Sequence, residues 1–235
     1  MKKRRALAAA LLVLAAVLFA VPFLRGAAAE REEAESVERF RDRSARVRVE
    51  QETTGQAPFP DLREAAERYN QDLREGKGLP LSEESWEEIP LDAEAYGLTD
   101  GVFGVVEIPS CGIRLPLYLG ASPEHLTRGA CVLGGTSVPL GGESTHCAVA
   151  AHRGWYEADM FRHLVRIEPG DEVRIQNPWE TLIYRVREVQ TVGSDEIDAL
   201  RIREGEDLLT LLTCGAWRGG WTTRVLVLCE RQETG

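Results

Sequence analysis

From residue 102 onward the chain is a succession of short runs rich in β-branched and aliphatic residues, broken by Gly, Pro and Asp. That texture limits its fold more than any other feature. The runs fall at 102–108, 113–119, 147–151, 172–176, 181–192, 208–214 and 224–229. Only brief helical patterns interrupt them, near 122–128 and 158–165. Short strands with turn signals between them predict a mainly β domain, closed into a barrel or folded as a sandwich. The domain is expected over 99–235, long enough to bury a core of its own.

The N-terminus fixes where such a domain works. Lys2, Lys3, Arg4 and Arg5 precede an uncharged run from Ala6 to Leu24. As a helix rising ~1.5 Å per residue, the run covers about 28 Å, close to the hydrocarbon thickness of a bilayer. The basic cluster is expected to stay cytoplasmic, so residues 1–25 read as a single-pass signal-anchor with an extracytoplasmic catalytic region behind it. A cleaved signal peptide is the competing reading, with Ala27-Ala28-Ala29 as a small-residue cleavage site. The apolar run is longer than the usual ~7–15 residues of a signal core, which favours the anchor.

Residues 26–98 read as a helical stalk followed by a lid candidate. From 30 to 50 acids and arginines alternate, and pairs such as Glu35 and Arg39 support a solvated helix. Leu62, Ala66, Tyr69 and Leu73 share one helical face over 60–75, and Gly76, Gly78 and Pro80 end it. Residues 81–98 are acidic and irregular around Trp86. A segment of that length without its own periodicity is either a surface connector or a lid over a site.

Chemistry concentrates at three strand ends. His152 follows the run 147–151 and precedes Arg153-Gly154, a turn that would set it at a barrel rim. Cys214 ends the run 208–214 and is followed by a glycine-rich loop. If 208–214 and 224–229 pair as a hairpin, Arg224 returns beside Cys214. Each has a bland alternative: a structural rim histidine, a buried small hydrophobe and an edge-strand charge. Together they supply a nucleophile, a proton carrier and a fixed cation, the set that acyl transfer needs. Thr213 and Trp217, flanking Cys214, are the candidates for substrate contact.

Other classes are disfavoured. A net charge of −10 lacks the clustered basic surface that nucleic acid requires. Five cysteines without a CxxC spacing support neither a zinc ribbon nor a thioredoxin-like motif. A papain-like protease places its cysteine well before its histidine, whereas His152 precedes Cys214 here.

The stretches Gly104-Val-Val-Glu-Ile-Pro109, Gly135-Thr-Ser-Val-Pro139, Gly141-Gly-Glu-Ser-Thr-His146 and Ala151-His-Arg-Gly154 resemble the sortases, specifically class C. So do Phe161, Leu164, Gly170-Asp171, Tyr184 and the ending Thr210-Leu-Leu-Thr-Cys214 with Arg224. The resemblance implies an eight-stranded closed β-barrel with His152, Cys214 and Arg224 at one rim. It implies a cysteine transpeptidase cleaving a Leu-Pro-x-Thr-Gly-like (LPXTG) sorting signal between Thr and Gly through a thioester on Cys214. The acceptor would be a lysine of a pilin subunit, as in pilus assembly, and the resemblance implies that no metal or organic cofactor is needed. The alternatives are a housekeeping-type sortase using a peptidoglycan-precursor amine and a non-catalytic membrane-tethered binding or assembly module. Class C lids usually carry Asp-Pro and an aromatic. No such tripeptide occurs here, and Trp86 is the lid aromatic the sequence offers. A disulfide between Cys131 and Cys147, in segments expected to be neighbours, is a further hypothesis.

Overall fold

The structure, a computed structural model, describes residues 2–154, 158–193, 196–215 and 223–232. Its core is a closed barrel of eight strands: β1 (Gly104–Ile108), β2 (Ile113–Leu119), β3 (Ala130–Val132), β4 (Thr145–Ala150), β5 (Glu172–Gln176), β6 (Thr181–Gly193), β7 (Asp207–Cys214) and β8 (Thr223–Arg231). They follow one another around the barrel as β1-β2-β3-β4-β7-β8-β6-β5. Of the two architectures left open by the strand pattern, the barrel is therefore the one formed. Closure removes most of the unpaired strand edges that a sandwich of this size would leave.

Alternation explains which side chains fill it. Val106, Ile108, Leu115, Leu117, Val149, Val173, Ile175, Leu209, Leu211 and Val227 are buried in one apolar cluster. The intervening Val105, Tyr118, Cys131, Ala148, Ala150, Leu212 and Leu226 belong to a second cluster on the opposite face of the strands. A half-buried antiparallel sheet would be polar on that second face. Here it is apolar because helices and a loop cover it.

The covering elements come from the N-terminal half. Helix α1 (Lys2–Thr54) is continuous for 53 residues, about 80 Å at ~1.5 Å per residue. Its residues 11–24 leave Leu11, Leu12, Val13, Leu14, Val17, Leu18, Phe19, Phe23 and Leu24 exposed, and the helix is long and apolar enough to cross a membrane. No break falls at residue 25. The segment expected to be a solvated stalk instead buries one narrow face, Gly26, Glu33, Ser36, Val37, Phe40 and Ser44, against the barrel. Small residues at three- and four-residue spacing make that seam, which a count of apolar residues overlooks. Ion pairs Arg41–Glu107, Arg114–Glu38 and Arg39–Asp100 flank it. Helix α2 (Pro60–Arg74) buries Leu62, Ala66 and Tyr69 on the expected face, and α3 (Pro123–Arg128) is capped by Ser122.

Glu33 gives the α1 seam a pH dependence. Its Oε1 is buried and has no hydrogen-bond partner among the described residues. Desolvation, followed by the charges of Glu30, Asp159 and Glu32, pushes its pKa up to about 7. The folded chain therefore keeps a proton that the unfolded chain gives up near 4.5. The associated stability is present at low pH and is lost as pH rises from there through about 7. Glu33→Gln should leave the unfolding temperature nearly unchanged at pH 4.5. At pH 8 it should raise it by several degrees, on the order of 1–3 kcal/mol. Equal shifts at both pH values would place the titration elsewhere.

Candidate active site

Two strand pairings assemble the site. Strands β7 and β8 form the expected antiparallel pair, and their register sets Cys214 opposite Arg224. The Gly215 N–H donates to the Thr223 carbonyl at 2.6 Å, extending the ladder past the cysteine. On the other side, β4 runs parallel to β7 with Ala150 opposite Leu212. The Ala151 N–H donates to the Leu212 carbonyl at 3.2 Å, so His152 emerges at the rim beside the end of β7. Parallel pairing of strands distant in sequence brings the histidine and cysteine to one end of the barrel.

The His152 backbone is held from both directions. The Thr213 hydroxyl donates to the Ala151 carbonyl at 2.9 Å, and the Phe161 N–H donates to the His152 carbonyl at 3.0 Å. Phe161 is fully buried. Thr213, expected to touch substrate, is itself buried, and its hydroxyl is occupied in tying the His152 segment to the Cys214 strand. The structure thus gives it a positioning place rather than a contact surface. Trp217 lies outside the described residues.

The three chemical groups differ in exposure in a useful way. Cys214 is exposed, while only 16% of the Arg224 side chain is accessible. His152 is half-buried, and that desolvation lowers its pKa below the usual imidazole range, favouring the neutral ring. The other thiols are of another kind. Cys131, Cys147 and Cys229 are buried, and desolvation pushes each well above the ordinary thiol range. All five cysteines are free. The Cys131–Cys147 disulfide does not form: β3 and β4 are neighbours, but their register sets Cys131 opposite Ala150. The two thiols also lie in different apolar clusters.

Of the remaining histidines, His146 is buried between the Arg201 carbonyl and the Thr210 hydroxyl, each at 2.8 Å. His125 stacks on Tyr118, and His163 pairs with Asp159. Each is accounted for structurally. Among the described residues no group of three His, Cys, Asp or Glu converges as a metal site.

A segment from the N-terminal region closes over this rim. In the 3-10 turn Glu83–Ser85, the Glu83 carboxylate accepts from Arg224 Nη2 at 2.6 Å. The Arg224 guanidinium also lies 4.6 Å from the centre of the Trp86 ring. Trp86 packs against the apolar cluster containing Ala150, Leu212 and Leu226. Sequence reasoning singled out Trp86 and missed Glu83. The available signal was an acid three residues before the aromatic, a spacing that a 3-10 turn brings to one side.

Backbone contacts seat the segment. The Trp86 carbonyl accepts from Ala121 N–H at 2.8 Å and from Gly134 N–H at 3.2 Å. At Gly134 a Cβ would stand 1.9 Å from the Ser85 carbonyl oxygen and 2.2 Å from that of Glu88. Only glycine permits this approach. Gly134→Ala should therefore unseat the segment while leaving the barrel folded. The expected outcome is faster limited proteolysis within 79–94 at an unchanged far-ultraviolet dichroism spectrum. An unaltered cleavage rate would show that the seat does not depend on Gly134.

Comparison with known proteins bears on this arrangement. A family model described as the sortase domain matches residues 106–232. Sortase C1 of GBS Pilus Island 1 superposes with a TM-score of 0.72 at 27% identity, covering 86% of this chain and 93% of that one. Clostridium perfringens sortase C, solved with the C-terminal cell wall sorting motif, gives 0.64 at 33% identity, covering 81% and 99%. Sortase A of Streptococcus agalactiae is 25% identical over 138 residues, 57% of this chain, and the chain spans about half the length of that curated relative (54%). With a closed barrel that sets Cys214 against Arg224, brings His152 to the same rim and matches the family model over more than half its length, the chain belongs to the sortase family.

Proposed function

We propose that the chain is a membrane-anchored cysteine transpeptidase of the pilin-polymerising type, and that Cys214, His152 and Arg224 carry the reaction. The observation that carries this reading is the register pair Cys214–Arg224 at the rim where β4 delivers His152. The Cys214 thiol passes its proton to the neutral His152 ring as its sulfur attacks the Thr carbonyl of a Leu-Pro-x-Thr-Gly-like signal. A C–S bond forms, the Thr–Gly C–N bond breaks, and His152 gives its proton to the departing glycine nitrogen. An incoming amine then attacks the thioester and passes its proton to His152. A C–N bond forms, and the sulfur leaves and recovers its proton from His152. Arg224 supplies charge and N–H donors where the carbonyl oxygen becomes negative in each tetrahedral intermediate.

The segment 79–94 is the lid of this site. It engages Arg224 through Glu83 and Trp86, and Trp86 packs against the outer apolar cluster to which Ala150, Leu212 and Leu226 belong. The solved relatives named above, sortases C from a pilus island and with a sorting motif, favour a pilin lysine as acceptor over a peptidoglycan amine. The apolar segment 6–24 anchors the chain, with the barrel on the extracytoplasmic side.

The test uses the full-length chain in detergent and a Leu-Pro-x-Thr-Gly peptide panel, followed by mass spectrometry of the intact protein. The expected result is an acyl adduct on Cys214, released by hydroxylamine and absent from Cys214→Ala. No adduct in either the wild type or a Glu83→Ala/Trp86→Ala lid variant would overturn the reading.

A further inference from the structure

The barrel is closed, but one of its strands outruns its neighbour. Strand β5 pairs with β6 only over Thr181 to Arg185. One more rung follows: the Val186 N–H donates to the Asp171 carbonyl, and the Val186 carbonyl accepts from Gly170 N–H, each at 2.9 Å. A bulge then falls between Val186 and Glu188. Beyond it β6 continues to Gly193 against β8 alone, and among the described residues no strand lies on its other edge.

Pairing parity shows which groups that edge presents. The bond from Gly215 N–H to the Thr223 carbonyl makes Thr223, Val225 and Val227 the residues of β8 whose backbone faces β7. Arg224, Leu226 and Leu228 therefore face β6, and their partners Val192, Gln190 and Glu188 turn their N–H and C=O groups toward β8. Val189, Thr191 and Gly193 turn theirs outward. The Gly193 carbonyl is taken by Glu196 N–H at 3.4 Å. Among the described residues, both backbone groups of Val189 and Thr191 and the N–H of Gly193 have no backbone partner and remain as an open ladder at strand spacing.

Natural edges are usually guarded by charge, bulge or proline. Here the guard stops early. The bulge and the charges Arg187 and Glu188 come first, and Arg187 is engaged by Glu206 and Glu230. Val189-Gln190-Thr191-Val192-Gly193 is uncharged, and residues 189–191 are exposed. This ladder is continuous with the reaction rim, because Val192 pairs with Arg224, which pairs with Cys214. An added strand would run three strand spacings, about 14 Å, from β7. That distance is about four extended residues.

We infer that the β6 edge from Val189 to Gly193 binds, by strand addition, an extended segment of the polypeptide that bears the acceptor amine. The inference rests on the transpeptidase reading. A reaction joining two polypeptides needs two docking places around one thiol. The apolar cluster against which Trp86 packs, which includes Ala150, Leu212 and Leu226, is uncovered there only when the lid leaves, and it suits the acyl donor. The β6 edge is exposed with the lid in place and stays free while the thioester stands. Backbone pairing there would hold an acceptor by its extended shape, with little demand on its sequence.

The probe is a fluorescein-labelled peptide of alternating Thr and Val followed by Gly-Gly-Gly-Lys, compared with acetyl-lysine amide as acceptor for the full-length chain. Wild type should use the peptide with at least tenfold higher kcat/KM. Thr191→Pro removes an outward N–H without breaking a β6–β8 rung, and it should reduce that advantage to less than twofold with hydroxylaminolysis unchanged. Thr191→Val should retain the advantage. The inference is overturned if the peptide has no advantage, if Thr191→Pro slows hydroxylaminolysis equally, or if Thr191→Val behaves like Thr191→Pro. It is also overturned if Thr191→Pro converts a dimer to a monomer in sedimentation, which would assign the edge to a second copy. Should wild type show no transfer even to hydroxylamine, the transpeptidase reading fails separately. Anisotropy of the labelled peptide then decides the edge: at least fivefold weaker binding to Thr191→Pro supports it, and equal binding overturns it.

Discussion

Removing the Glu83 carboxylate and the Trp86 ring together should raise the rate of Cys214 acylation by a sorting peptide roughly 30-fold. The half-exposed Glu83 pairing with Arg224 is worth about 0.5–1 kcal/mol. The guanidinium–indole contact adds about 1 kcal/mol. Burial of the ring contributes about 1–2 kcal/mol. The Trp86 indole N–H is buried with no hydrogen-bond partner among the described residues, and that offsets about 1 kcal/mol. A net closing energy near 2 kcal/mol is about 30-fold in the open population. The same geometry predicts a contrast. Cys214 is exposed with the segment 79–94 in place, so as a lid that segment would withhold Arg224 and the apolar surface under Trp86 rather than the sulfur. Alkylation by iodoacetamide should therefore change by less than about twofold in Glu83→Ala/Trp86→Ala, while peptide acylation rises. Parallel increases in both rates would mean the lid shields the thiol itself, and no increase in either would mean it does not gate.

Much of this arrangement was legible in the sequence, and the reasons are local. The hairpin 208–214 and 224–229 could be read because two apolar runs flank a glycine-rich loop, and pairing them necessarily set Arg224 beside Cys214. Helix α2 was legible because Leu62, Ala66 and Tyr69 repeat at helical spacing and all three are buried. Strand β3 was not, because Ala130–Val132 has three residues and pairs parallel with β2. So short a run carries no periodicity. The docking of α1 was hidden because its seam is made of Gly26, Ser36 and Ser44 around only Val37 and Phe40. Such a face is defined by shape rather than by hydrophobicity. At the candidate site, residue types pointed to Cys214, His152 and Arg224, which the strand pairing brings to one rim. Thr213 and Glu83 depended on partners 62 and 141 residues away, Ala151 and Arg224. Long-range partners of that kind leave no mark on local composition.

Arg224→Lys should cost about 10²–10³ in kcat/KM for peptide acylation when the lid is absent. Lysine keeps the charge but loses the planar fork that can hold an oxyanion through more than one N–H. In the wild-type background the apparent loss should be smaller, by up to about tenfold, because the substitution also weakens the lid's hold. Glu83 and Trp86 both close on the guanidinium, so under the proposed mechanism one residue would serve the closed state as a clamp and the open state as a catalytic group. The two roles pull the measured rate in opposite directions, and the four-way comparison of wild type, Arg224→Lys, the lid variant and the combined variant separates them. Equal losses in both backgrounds would show that Arg224 does not clamp the lid. No loss without the lid would remove it from the oxyanion site. Iodoacetamide alkylation of Cys214 in the same four proteins reports on the thiol alone. A loss confined to peptide acylation therefore locates the function of Arg224 at the substrate carbonyl rather than at the sulfur.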